Sequence, residues 1–266
     1  MRLSPSGANL VHLAFYHIPK TAGTSVHQAL AEELGLKAHP RRHEGFAEEP
    51  LDAIKQYQLL SAHMTLKDIE HIRGIGNVFF TTVLRDPVER LLSEYDYLRT
   101  RPDSLMAQPG SEALRVARSH APRDYFDWLL TKKGFNNYLL RRTLGKAAFT
   151  ESDVLATINF FEDFGLVGVA DYLDEYLAAL FERYGRTRPF SPAFLNRTED
   201  QPDPERAGAK TLRTGRRAVS EEIWARLTWG EQRVYEHFKK RFEREHAERI
   251  FNTRVHYGKI LRSKAS

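Results

Sequence analysis

Short apolar runs alternating with helix-patterned stretches constrain this chain more than any other feature of its sequence. "LVHLAFYHI" (Leu10 to Ile18), "QLLSAH" (Gln58 to His63) and "NVFFTTVL" (Asn77 to Leu84) are brief, apolar or β-branched, and bounded by turn or helix-start residues. Runs of that kind suit a sheet covered on both faces. "GLVGV" (Gly165 to Val169) is a fourth candidate strand. Helical patterns lie between and after these runs, the order expected of βαβ units around a parallel sheet. The predicted fold class is α/β, a central parallel sheet flanked by helices, with a helical carboxyl-terminal part.

Helix signals fill in the rest. Val26, Ala29, Leu30 and Leu34 recur at helical spacing, and Gly35 is placed to end that helix. In "DPVERLLSEYDYL" Asp86 is a candidate cap, Pro87 suits the first helical position and Glu89 completes a capping box. Val88, Leu91, Leu92, Tyr95 and Leu98 form its apolar face. Shorter helices are expected within Tyr125 to Leu144 and Ser152 to Asp163, and longer ones over Asp171 to Tyr184 and Gly230 to Arg249. Residues 101–123 read as a polar, irregular insertion or lid, and 196–218 as a long charged surface loop. With no internal repeat, residues 1–266 are expected to form a single domain.

The corner after the first run, "FYHIPKTAGTSVHQAL" from Phe15 to Leu30, delivers a strand into a lysine, small hydroxylic residues and a helix. Helix-start N–H groups and the helix dipole make such a corner an anion site, to which Lys20, Thr21, Thr24 and Ser25 add a cation and hydroxyls. An ordinary strand-to-helix connection with capping hydroxyls is the alternative. The sequence has no GxxxxGK[ST] nucleotide loop, and "GIGNVF" lacks the third glycine of the dinucleotide fingerprint. Arg85 ends the third run and Ser93 follows two turns into the next helix; the pair could hold a second phosphate, or Arg85 could simply pair with Asp86 or Glu89.

Composition narrows the setting. The formal charge of +5 favours anionic partners. Absence of cysteine excludes disulfides, thiolate metal sites and a cysteine nucleophile. No apolar run approaches the roughly 18 to 20 residues of a spanning helix, and the amino terminus lacks a secretory pattern, so a soluble cytoplasmic protein is expected.

Taken together, "HIPKTAGTS" and "TTVLRDPVERLLSEY" closely resemble the paired signatures of PAPS-dependent sulfotransferases, PAPS being 3'-phosphoadenosine 5'-phosphosulfate. The resemblance is nearest to the carbohydrate branch that includes the heparan sulfate O-sulfotransferases and bacterial proteins. It continues more loosely through "SAHMTL", "NNYLLRRTLG", "FGLVGVADYLDEYLAAL" and "FLNRT", to about Thr198. It implies a P-loop-like sheet in which Pro19, Lys20, Thr21, Ala22, Gly23, Thr24 and Ser25 wrap the 5'-phosphosulfate. Arg85 and Ser93 would hold the 3'-phosphate, and Arg197, in a mobile loop over the nucleotide, would add a contact. The family needs no metal, and its product nucleotide is 3'-phosphoadenosine 5'-phosphate.

Sulfuryl transfer needs a base near neutral pKa to take the acceptor's proton. His63 ends the second run at the sheet edge that carries the corner, and "SAHMTL" resembles the segment bearing the family's catalytic histidine. His63 and Lys20 are therefore the candidate catalytic residues. A histidine capping the next helix is the structural alternative. His17 ranks second, as a support for the loop. His39 and His43, in "HPRRH", have i,i+4 spacing but are interrupted by Pro40; they read as part of a solvated basic loop whose Arg41, Arg42 and His43 could greet an acidic acceptor. No metal ligands are assigned. The expected partner is a hydroxyl acceptor on a saccharide or glycoconjugate, with no nucleic acid and no membrane span. The rivals are an ATP-dependent small-molecule kinase with a degenerate P-loop and a noncatalytic binder of acidic glycan or nucleic acid.

Overall fold

Four parallel strands, in the order β2-β1-β3-β4, form the centre of the protein. The computed structural model describes residues 12–40, 45–105, 111–132, 136–184 and 215–253. The strands are β1 (His12–Tyr16), β2 (Leu59–Ala62), β3 (Val78–Leu84) and β4 (Leu166–Val169), each within its expected run but shorter. Every residue of β1, β2 and β4 is buried, as the unbroken apolar runs require of a sheet covered on both faces. Even His12 is inside, its Nδ1 2.7 Å from the Tyr57 carbonyl oxygen.

Register decides what meets at the sheet's carboxyl edge. Tyr16 pairs with Ala62 on one side and Thr82 on the other. The residues leaving β1 and β2, His17 and His63, are thereby brought side by side, and Arg85 follows β3 at the same edge. The chain passes from β1 outward to β2, then crosses to β3 and β4 on the other side. The strand order thus reverses between β1 and β3, and the crevice outside the carboxyl ends of strands at such a point is where open α/β sheets bind ligands.

The helix after β1, α1 (Gly23–Gln28), continues through a π-helical turn to Glu33, and Gly35 takes a φ of 63° just past its end. α2 (Leu51–Ile54) and α3 (Leu66–Arg73) flank β2. α4 (Pro87–Arg99) follows β3, with Asp86 accepting the Glu89 N–H at 3.0 Å and Pro87 in the first turn. The expected return half of the capping box is not made. The Glu89 carboxylate turns instead to Arg85, 3.4 Å away.

After α4 the structure departs further from expectation. Within 101–123, read as irregular, α5 (Glu112–Ser119) forms, and Pro122 opens α6 (Pro122–Thr131). Leu114 and Ala117 of α5 are buried, so its helix rests on tertiary packing that a polar sequence conceals. α7 (Tyr138–Leu144), α8 (Glu151–Glu162) and α9 (Leu173–Arg183) fall where helices were expected. α10 (Glu221–Glu245) starts nine residues before Gly230, which sits inside it. Glycine is tolerated there because α10 packs tightly on α7: a Cβ at 230 would lie 2.8 Å from Leu140. Residues 215–218, assigned to the charged loop, are helical, while 196–214 with Arg197 lie outside the described residues, as do Arg41, Arg42 and His43.

His39 corrects the expectation of a solvated loop. It is 3% exposed, packed on the Phe46 and Tyr57 rings, with Nε2 3.0 Å from a Glu49 carboxylate oxygen. The cause is an extra bridge, Ala38 to Leu59, which draws this segment alongside β2.

Two apolar clusters hold the layers together. One joins the sheet to α1, α8, α9 and the far half of α10; the other packs α4 and α6 against Trp224 and Leu227 at the start of α10. Between them Arg90 of α4 meets Glu231 of α10 at 2.9 Å, both almost fully buried. Losing one partner of a pair like this costs about 3–5 kcal/mol, because the other charge is left unpaired in a low dielectric. Asn137 joins the same seam: its Oδ1 accepts the Gly230 and Glu231 N–H groups, at 2.8 and 3.1 Å.

Candidate active site

The corner between β1 and α1 folds through two left-handed residues, Lys20 (φ 67°) and Ala22 (φ 64°). Such a conformation is costly for residues with a Cβ, and left-handed residues within a turn are a feature of backbone anion nests. The first N–H groups of α1 have no intrahelical partner and open beside it. Thr21 is buried and its hydroxyl donates inward to the Ile18 carbonyl at 2.8 Å, so this hydroxyl braces the turn. Thr24 is exposed and Ser25 half-buried, leaving their hydroxyls as the outward-facing ones.

Arg85 ties the second signature to the first. Its Nη1 donates to the Lys20 carbonyl at 3.3 Å while its other side pairs with Glu89. Arg85 thus forms the expected local ion pair with Glu89 and also reaches across the switch point to the corner. Ser93 lies half-buried two turns along α4. One turn further, Tyr97 lies beneath the Lys20 ammonium, 4.1 Å from ring centroid to Nζ. Asp96 beside it is pushed up to about 6 by burial, an effect that Arg99 and Lys20 partly oppose.

His63 and His17 are in edge-to-face contact, ring centroids 4.6 Å apart, and the His17 N–H donates to the Ala62 carbonyl at 3.0 Å. His17 in turn packs on the corner. A Cβ at Gly23 would fall 2.0 Å from its Nε2, so this glycine is needed for the histidine's approach and not only for a ligand's. His63 is half-buried and does not cap the following helix. Thr65 does that, in a reciprocal box with Asp68. Burial raises the Asp68 pKa, but hydrogen bonds from Thr65, Ala47 and Phe46 outweigh it and hold the carboxyl below its ordinary range. The backbone that presents His63 is thus pinned from one side by Asp68.

From the other side it is pinned by Arg142, a residue with no role expected from sequence. Its Nε donates to the Met64 carbonyl at 2.9 Å and its Nη2 to the His63 carbonyl. Arg142 also lines a cavity of about 720 Å³ enclosed by the start of α3, by α4, α5, α6 and by α7. The cavity therefore adjoins the segment carrying His63. The only signal for Arg142 lay inside "NNYLLRRTLG", a stretch with family likeness but no distinguishable contact residue.

Of the expected site residues, His63, His17, Gly23, Lys20 and Arg85 are thus linked by contacts around one sheet edge. Pro19, Thr21, Ala22, Thr24 and Ser25 belong to the same turn, and Ser93 stands off on α4. Among the described residues, no helix is long and apolar enough to cross a membrane.

Residues 9–124 match the model of the Sulfotransferase family. The match spans β1 to the start of α6, with the corner, His63, Arg85 and Ser93 inside it, and supports sulfuryl transfer as the general class of activity. No curated protein matches the chain.

Proposed function

We propose that the protein is a sulfotransferase that moves a sulfuryl group from PAPS to a hydroxyl of a saccharide or glycoconjugate. The observation that carries the reading is the bridge from Arg85 to the Lys20 carbonyl across the β1/β3 switch point. It draws a cation from one signature against the anion nest of the other, which fits a nucleotide with two separate anionic ends. The turn from Pro19 to Ser25 would receive the 5'-phosphosulfate, Arg85 and Ser93 the 3'-phosphate, with Arg197 as a further contact.

In this reading His63 accepts the acceptor hydroxyl's proton as its oxygen bonds to sulfur and the bond from sulfur to the phosphate oxygen breaks. Lys20 neutralises the charge that develops on the phosphate left behind. Its ammonium is already within reach of the corner and is held on an aromatic face, an interaction weak enough to exchange for a phosphate. His17 keeps the His63 ring and the corner in register through Gly23. Arg142 and Asp68 fix the backbone of the base.

The test is nucleotide choice. In metal-free calorimetry, 3'-phosphoadenosine 5'-phosphate should bind at least about tenfold more tightly than ADP, since a charge-assisted contact contributes roughly 1.5–3 kcal/mol. Arg85→Ala should erase that preference with the fold intact. Equal affinity for the two nucleotides, or binding that requires magnesium, would favour a kinase.

A further inference from the structure

The cavity beside His63 is unlike a site for a free sugar. Sugars present hydroxyls on every side, whereas this wall is chiefly Leu66, Leu98, Leu129, Leu144, Tyr125 and Tyr138. At about 720 Å³ it is within the range of small-molecule sites, which bury most of an apolar body and orient it by a few polar groups.

Its charged groups are uneven. Arg90 is neutralised by Glu231 at 2.9 Å and by Glu94, the one carboxylate lining the cavity among the described residues, at 3.5 Å. Lys67, Arg141 and Arg142 also line the wall, and among the described residues none of the three forms an ion pair. Two of the Arg142 N–H groups donate to the His63 and Met64 carbonyls, which are neutral acceptors and leave its charge without a carboxylate partner. Arg141 donates through Nη2 to the Asn136 carbonyl at 2.6 Å, but its Nε is buried without a hydrogen-bond acceptor. Burial lowers the Arg141 pKa; the charge of Glu231 opposes this only in part, and the nearby Arg90 adds to the lowering. A guanidinium in that condition gains from any anion brought into the cavity.

We propose that the acceptor is an anionic amphiphile, a hydroxylated saccharide head bearing an anionic group on an apolar chain, whose chain fills the leucine and tyrosine wall while its anion meets Arg141 and Arg142. This rests on the sulfotransferase reading and narrows its acceptor. Arg142 lines the cavity and also holds the His63 carbonyl, so an anion bound there lies against the segment that carries His63. The apolar wall gives affinity and the arginines give orientation, so neither a neutral amphiphile nor a charged sugar without a chain satisfies both.

Three probes separate the contributions: octyl β-D-glucuronoside, octyl β-D-glucoside and methyl β-D-glucuronoside, titrated calorimetrically into the full chain with 3'-phosphoadenosine 5'-phosphate present. The octyl glucuronoside should bind at least about tenfold more tightly than either of the others. Arg141→Gln should bring it down to the level of octyl glucoside. Leu66→Ser, at an exposed position on the cavity rim, removes apolar surface without adding charge and should weaken both octyl probes while leaving the methyl one unchanged. Equal binding of methyl and octyl glucuronosides, or no response to either substitution in a chain that still binds the bisphosphate, would overturn the proposal while the sulfotransferase reading stood. If the bisphosphate fails to bind but the octyl glucuronoside keeps its preference, the cavity assignment holds and the reaction assignment falls.

Discussion

The corner after β1 takes its polar atoms from two short stretches of chain, whereas the cavity beside His63 takes its wall from five helices spread between Thr65 and Gly145. The corner works through backbone, with φ values of 67° and 64° at Lys20 and Ala22 and a carbonyl that Arg85 reaches. The cavity works through side chains. A backbone site tolerates little change in shape and suits a ligand that does not vary, such as a nucleotide. A side-chain wall is remade by substitution and suits the partner that does. His63 stands between them, touching the corner through His17 and the cavity through Arg142.

The sharpest way to break this comparison is at that seam. His63→Ala should keep the fold and the bisphosphate affinity and lower turnover by roughly 10²–10⁴, the range for a lost general base. Stability should change little, because Thr65 and not His63 caps α3. If turnover survives in the variant while His17→Ala abolishes it, the base belongs to the corner and the division between the two regions moves by one strand. Circular dichroism and bisphosphate calorimetry on the same samples separate a lost base from a lost fold.

A second test lies wholly in the corner. Lys20→Ala should reduce kcat by about 10²–10³, the scale for removing one donor at a developing anion, with a smaller change in nucleotide affinity. Lys20→Arg should rescue poorly, since the planar guanidinium differs from an ammonium in shape and hydration. A variant that keeps kcat and loses only affinity would make Lys20 a binding group, and the corner a passive cradle.

The same contrast explains what could be read from the sequence. β1, the turn and Arg85 were legible because their signals are local: an apolar run, small residues and a strand end, each within a few residues of the next. Arg141 and Arg142 were not, since nothing in "NNYLLRRTLG" tells which arginine faces a cavity formed by helices elsewhere in the chain. His39 was misread for a related reason. Its burial comes from the Ala38 bridge to Leu59 and a partner at Glu49, both beyond the local pattern. α10 begins nine residues before the expected start at Gly230, and the close approach of Leu140, Val154 and Asn137, all distant in sequence, accounts for a glycine inside it. Local chemistry thus made the corner legible, and tertiary packing decided the cavity.

The smallest expected effect sharpens the comparison by touching the corner alone. Burial raises Asp96 from 3.8 to about 6, against the pull of Arg99 and Lys20. A carboxyl whose pKa is higher in the folded than in the unfolded chain favours folding most when protonated, below about 3.8, and that contribution is lost as pH rises through about 6. At pH 7.5 the ionised Asp96 is therefore a net cost to the fold, softened by solvent because the group is only partly buried. Asp96→Asn removes the ionisation and keeps the shape, so its melting temperature should exceed the parent's by no more than about 2 °C at pH 7.5. The gain should shrink between pH 6 and pH 4 as the parent carboxyl takes up its proton. The cavity is untouched, so octyl glucuronoside affinity should not change. Bisphosphate affinity should rise slightly, since a negative charge beside Lys20 is gone. A melting gain that persists at pH 4 would mean that the new amide stabilises through hydrogen bonding and that Asp96 does not oppose the cation of the corner through its charge.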